Sequence, residues 1–199
     1  MFTPMGKGQR DRVAGKLKRY HIDFIASSPI WRVRNTILPY MKAVGATGEV
    51  WPELCEYWQS PLILSSDLPT PTVKILGAGA PVELPPEETP YFSLREDGQN
   101  QIKLPPFPKD PSLDNVTETA ASQLVIQHVL DMIQERFGGT DKSILLAGHG
   151  FSGRGILTML LNDDLRGLPN ITNTGIWMVE EQPDGTFKLK MFNDVPLEY

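Results

Sequence analysis

The sequence predicts an α/β protein, a three-layer α/β/α sandwich on a mostly parallel sheet with an antiparallel C-terminal hairpin at the sheet edge. Three observations carry this. Two short apolar runs, residues 23–27 (DFIAS) and 143–147 (SILLA), each feed directly into a helical pattern. Helical periodicity alternates with those runs along the chain. The last stretch, TGIWMVEE and TFKLKMF around Pro183-Asp184-Gly185, reads as two strands joined by a turn.

In chain order, residues 6–19 form a basic amphipathic helix opening after Thr3-Pro4, with Val13 and Leu17 one turn apart. The run at 23–27 is a strand, and Ile30, Val33, Ile37, Met41 and Val44 mark a helix over 30–44. Residues 117–137 give the clearest helix, with Leu124, Val125, Val129, Met132, Ile133 and Phe137 on its apolar side and Gly138-Gly139 as its stop. The run at 143–147 is apolar throughout, as a strand buried on both faces of a parallel sheet must be. A helix over about 152–161 follows Gly148-His149-Gly150. The two strand-to-helix units make the strands at 23–27 and 143–148 parallel near-neighbours.

With 199 residues, 40% of them apolar and 22% charged, the chain is one globular domain over 1–199. Eleven of its eighteen prolines lie between Pro61 and Pro111, so about 60–116 reads as an insertion or flap. No apolar run suits a membrane span or a secretory signal, which predicts a cytoplasmic protein with no membrane partner. The single cysteine, Cys55, cannot close an intramolecular disulfide, and with three scattered histidines it leaves no cysteine-based zinc site. No metal or other cofactor is called for. Residues 1–48 hold nine Lys/Arg against Asp11 and Asp23, while the remainder carries a net −12. The basic end suits an anionic ligand; equally, it fits a solvated helix face or a weak nucleic-acid footprint.

Three segments could carry chemistry. In LLAGHGFSGRGIL, a buried strand delivers His149 between Gly148 and Gly150 onto a helix start, where ligands of open α/β sheets bind and backbone N–H groups favour an anion. The bland alternative is a tight turn with a capped surface histidine. In ASSPIWRVRNT, Arg32 and Arg34 fall in the first turn of a helix, where the dipole disfavours cations unless an anion is bound. Only one of them need face the pocket, leaving Arg34 as a solvated charge. In WPELCEYW, Glu53 and Glu56 sit one turn apart among aromatics that would raise a carboxyl pKa toward a proton donor's range. His21 and His128 carry no distinctive pattern. A serine-hydrolase elbow fails because Arg154 stands where Gly-x-Ser-x-Gly needs its last glycine, and no P-loop occurs.

Taken in order, these pieces resemble the histidine phosphatase superfamily, the phosphoglycerate mutase-like proteins. TPMGKGQ looks like that family's first helix start, ASSPIWRVRNT resembles its SSPLxRAxQTA, LLAGHGF its late strand into His-Gly, and FNDVPLE its closing ND-x-x-L. The resemblance implies that Arg32 and His149, with Gly150, bind phosphate, that Glu56 donates a proton, and that the substrate is a phosphorylated small molecule rather than nucleic acid. It also implies phosphomonoester hydrolysis through a phosphohistidine. The family's nucleophile lies in an Arg-His-Gly motif, and here the three histidines follow Tyr20, Gln127 and Gly148. Two expectations compete: a longer form supplies that motif on a strand ahead of residue 1, or the protein is a pseudophosphatase that binds a phosphorylated ligand without turnover. A missing strand should leave an apolar gap in the sheet with unpaired backbone groups.

Overall fold

A computed structural model describes residues 2–55, 82–95 and 118–197. The first helix, α1 (Pro4–Leu17), starts where Thr3 accepts the Gly6 N–H at 3.1 Å and buries Val13 and Leu17. Strand β1 (Phe24–Ser27) leads into α2 (Trp31–Val44), which ends on Gly45 at φ +71°, the left-handed stop that glycine tolerates. β2 (Gly48–Val50) and a short 3-10 turn at Pro52–Leu54 follow. β3 (Phe92–Leu94), α3 (Glu118–Phe137), β4 (Ile144–Ala147) and α4 (Gly150–Leu161) come next. The chain closes with β5 (Met178–Glu181), β6 (Phe187–Phe192) and β7 (Val195–Pro196).

The main sheet runs β3-β2-β1-β4, every pair parallel, and β1 and β4 are direct neighbours in the register Phe24 to Ile144 through Ser27 to Ala147. The α/β class and the parallel pairing follow the sequence reading. Two details differ. β3 lies inside the stretch read as an insertion, so residues near 92 supply an edge strand to the sheet; three residues are too short for period-two patterning to register. The C-terminal hairpin pairs antiparallel with β7 in its own three-stranded sheet and is not hydrogen-bonded to the parallel one. Its Leu189 and Phe192 pack instead with Leu157 of α4 and Leu165, a core that binds the small sheet through side chains rather than backbone.

Helices cover both faces of the parallel sheet. Leu145 and Ala147 meet α1 and α2 through Val13, Leu17, Val33 and Ile37, whereas Ala26 and Leu146 meet α3 and α4 through Ile126, Val129 and Ile156. On α3 the buried side is set by Val125, Ile126 and Val129, and Leu124, assigned to that side from sequence, is exposed. α3 and α4 approach closely at Gly155, where a Cβ would stand 2.3 Å from Ile126 Cδ1.

Candidate functional site

The carboxyl ends of β1 and β4 lie side by side because their register is one to one, and each strand turns at once into a helix. Ser28, Pro29 and Ile30 bridge β1 to α2; Gly148 and His149 bridge β4 to α4. The amino termini of two helices, 14 and 12 residues long, therefore belong to adjacent strands. Ile30, at the N-cap of α2, has no side chain that could bond the helix amides, so that helix start keeps its positive end, while at α4 His149 and Ser152 form a reciprocal capping pair. In that pair Ser152 Oγ accepts the His149 N–H at 3.3 Å.

Arg32 and His149, 117 residues apart in the chain, meet here: Arg32 Nη2 lies 3.1 Å from His149 Nδ1. Ser28 Oγ lies 2.9 Å from His149 Nε2 and also accepts the Ile30 N–H at 3.2 Å. A guanidinium has only donors, so its contact makes Nδ1 the acceptor. The proton of the neutral ring then sits on Nε2 and is donated to Ser28. Serine, arginine, histidine and two helix starts thus form a compact cationic corner suited to an anion with several acceptor oxygens. Both side chains, with Gly150, line one cleft of about 2170 Å³.

The remaining sequence candidates fall elsewhere. Glu56 lies outside the described residues. Arg34 is buried rather than solvated: Nε donates to Glu88 Oε2 at 2.5 Å, Nη1 donates to the Pro29 carbonyl, and Asn35 Nδ2 donates to the other Glu88 oxygen at 2.7 Å. A charge alternating with Arg32 on a helix looks exposed in sequence, and only the folding back of residues 85–92 onto α2 covers it. Through Pro29 this ion pair also anchors the turn that carries Ser28. Glu53 is likewise buried, 2.9 Å from Arg95 Nη1 and 3.8 Å from His128 Nε2. Ser28, Glu88 and Arg95 are not among the residues the sequence singles out; of the three, Ser28 alone carries a usable signal, its place directly before Pro29 at a strand end. His21 is paired with Asp23 at 3.3 Å in the loop before β1.

At the opposite end of the same strands, Asp23 accepts the Ser143 N–H and the Lys142 ammonium, each at 2.9 Å, and these bonds hold its pKa down at about 2. That latch fixes the β1–β4 register, and with it the corner above. Among the described residues no group of three His, Cys, Asp or Glu side chains is placed to hold a metal ion, and no helix is long and apolar enough to cross a membrane.

Residues 2–59 match the family model described as the histidine phosphatase superfamily (branch 1). Among solved structures the fold is similar to a histidine-to-alanine mutant of phosphoserine phosphatase from Entamoeba histolytica in complex with phosphoserine. That likeness has a TM-score of 0.57 at 18% identity over 98% of this chain and 84% of that one. A mycobacterial glucosyl-3-phosphoglycerate phosphatase complexed with VO3 gives 0.55 at 15% identity, over 97% of this chain and 87% of that one. A Bacillus stearothermophilus protein, YhfR, gives 0.58 at 14% identity, over 98% and 85%. No curated protein sequence matches the chain. The resemblance drawn from the motifs therefore holds in sequence over residues 2–59, and at these identities the structural likeness is one of fold.

Proposed function

We propose that this chain is a phosphoryl-transfer domain of the phosphoglycerate mutase-like type whose Arg32–His149 corner binds the phosphate of a phosphorylated small molecule. The observation that carries the reading is the 3.1 Å approach of Arg32 Nη2 to His149 Nδ1 at the converging starts of α2 and α4. A phosphate placed there draws on the Arg32 fork and the first N–H groups of α4. Ser28 holds the His149 ring beside the Arg32 fork, so that both side chains border the anion. These are the tasks of electrostatic stabilisation, and they bind a ground-state phosphate as well as a transferring one. The structural relatives that carry phosphoserine or VO3 support the ligand class.

Turnover through a phosphohistidine needs a second histidine beside His149. His21 pairs with Asp23 at the far end of β1, and His128 stands on α3 beside Glu53. Neither meets that need, so we infer that these 199 residues bind a phosphorylated ligand without turnover, the pseudophosphatase behaviour. The experiment is paired. Orthovanadate binding by calorimetry should be measurable in the chain and lost in Arg32→Ala, while hydrolysis of 4-nitrophenyl phosphate stays at background. Absence of vanadate binding overturns the site; turnover that His149→Ala abolishes overturns its assignment to stabilisation.

A further inference from the structure

Of the Phe, Trp and Tyr side chains among the described residues, two are exposed, and both stand at the anion corner. Trp31 is 39% and Phe151 58% exposed, whereas the others are buried or half-buried. Trp31 is the first residue of α2, directly before Arg32, and Phe151 is the second of α4, two residues after His149. Each therefore lies within about 8 Å, along the backbone, of one of the two residues whose side chains meet at 3.1 Å. A single exposed aromatic calls for no explanation, since ordinary surfaces carry some. Two of them, set beside one site on the first turns of two different helices, do.

The first turn of a helix favours Asp, Glu or Ser, which complement the positive end of its dipole. Neither α2 nor α4 has an acidic residue there. Instead α2 opens with Trp31, Arg32, Val33 and Arg34, and α4 with Gly150, Phe151, Ser152 and Gly153. The proposed anion supplies the missing charge and draws on Arg32, His149 and Ser28. It leaves the rings unexplained, because inorganic phosphate has nothing apolar to lay against them. A phosphate ester has such a part in its organic group. The indole of Trp31 is already supported from one side, by the Phe2 ring at 5.1 Å with 36° between the planes. A tilted aromatic pair of this kind is favourable in itself and steadies the indole for a further ring. A Cβ on Gly150 would meet nothing within 4 Å, so the chain between His149 and Phe151 borders open space.

We propose that Trp31 and Phe151 select the organic group of the ligand, and that the site takes phosphate monoesters of aromatic alcohols. The ring rests against Trp31 and Phe151 while the phosphate meets Arg32 and His149. The proposal rests on the anion-corner reading for the phosphate, and on the two exposed rings for the aromatic group.

Phosphonates, which bind without being hydrolysed, test it. Phenylphosphonate, cyclohexylphosphonate and methylphosphonate are titrated against the 199-residue chain in alkaline buffer, where all three are dianions, and binding is followed by phosphorus NMR. Phenylphosphonate should bind at least about tenfold tighter than methylphosphonate and about threefold tighter than cyclohexylphosphonate. Phe151→Ser and Trp31→Ser should each bring the phenyl-to-methyl ratio down to about threefold or less, and Phe151→Tyr should keep it. The ratio is the readout because a general loss of structure lowers both affinities together. Arg32→Ala should abolish binding of all three; phenylphosphonate binding that survives it overturns the shared site. Equal affinities for the phenyl and methyl compounds overturn the aromatic selection and leave the anion corner standing. Cyclohexyl binding as tight as phenyl overturns the choice of an aromatic group, and a phenyl preference kept in both serine variants overturns the assignment to Trp31 and Phe151. Failure of methylphosphonate and vanadate alike to bind removes the corner itself, and the proposal with it.

Discussion

Replacing Glu88 by Gln tests how the site is held from behind. Glu88 is 1% exposed and Arg34 3%, and the pair is closed by the 2.5 Å bond to Nε and the 2.7 Å bond from Asn35. Gln keeps the shape and one acceptor but removes the charge, leaving the Arg34 guanidinium buried with nothing to neutralise it. Breaking a buried pair from one side costs about 3–5 kcal/mol. With an m-value near 2 kcal/mol per molar urea, that loss lowers the unfolding midpoint by about 2 M. It is a large share of the roughly 5–15 kcal/mol that holds a domain together. The paired substitution Arg34→Met with Glu88→Leu removes both charges and should recover most of the loss, to within about 1 kcal/mol of the parent. Equilibrium urea unfolding followed by tryptophan fluorescence reads both. A midpoint for Glu88→Gln within about 0.3 M of the parent, at unchanged m, refutes the idea that this pair fastens residues 85–92 to α2.

Three other outcomes follow from the same structure. Leu157 of α4 is fully buried between the hairpin sheet and Leu165, so Leu157→Ala should cost about 2–5 kcal/mol in urea unfolding. Asp23 has its pKa lowered to about 2 by the Ser143 N–H and then Lys142, so its latch is complete above the ordinary carboxylate pKa near 3.8 and is lost as pH falls through about 2. Asp23→Asn should therefore lower the melting temperature relative to the parent at pH 6, and by much less at pH 2. Ser28→Ala removes the acceptor of the His149 Nε2 proton, and nitrogen NMR of the imidazole should show the Nε2–H form losing its dominance while the fold persists; an unchanged tautomer would falsify the role given to Ser28.

The parts of the fold legible in the sequence are those in which one residue pattern answers to one environment. SILLA has helices on both faces, and Val13 and Leu17 project from one side of a single helix. The corner is legible for a related reason, since a strand end running straight into a helix start recurs at Arg32 and at His149. What escaped depended on partners far along the chain. Arg34 is buried by Glu88, 54 residues away, and Glu53 by Arg95, 42 residues away; before the chain closes, such charges look like surface. Leu124 failed for the opposite reason, because helical periodicity gives an apolar face only to within about one residue's rotation, and the packing of α3 on α4 at Gly155 selected Ile126. The hairpin was recognised from its turn, but alternation specifies neither the sheet nor the edge a strand joins.

The proposed anion lies between Arg32 and the start of α4. Crystals soaked in sodium tungstate and measured at the tungsten edge locate it directly. The predicted result is a single strong anomalous peak within hydrogen-bond reach of the Arg32 guanidinium and the Gly150 to Ser152 amides, with the His149 ring still against Ser28. A peak at any other basic surface and none at this corner contradicts it.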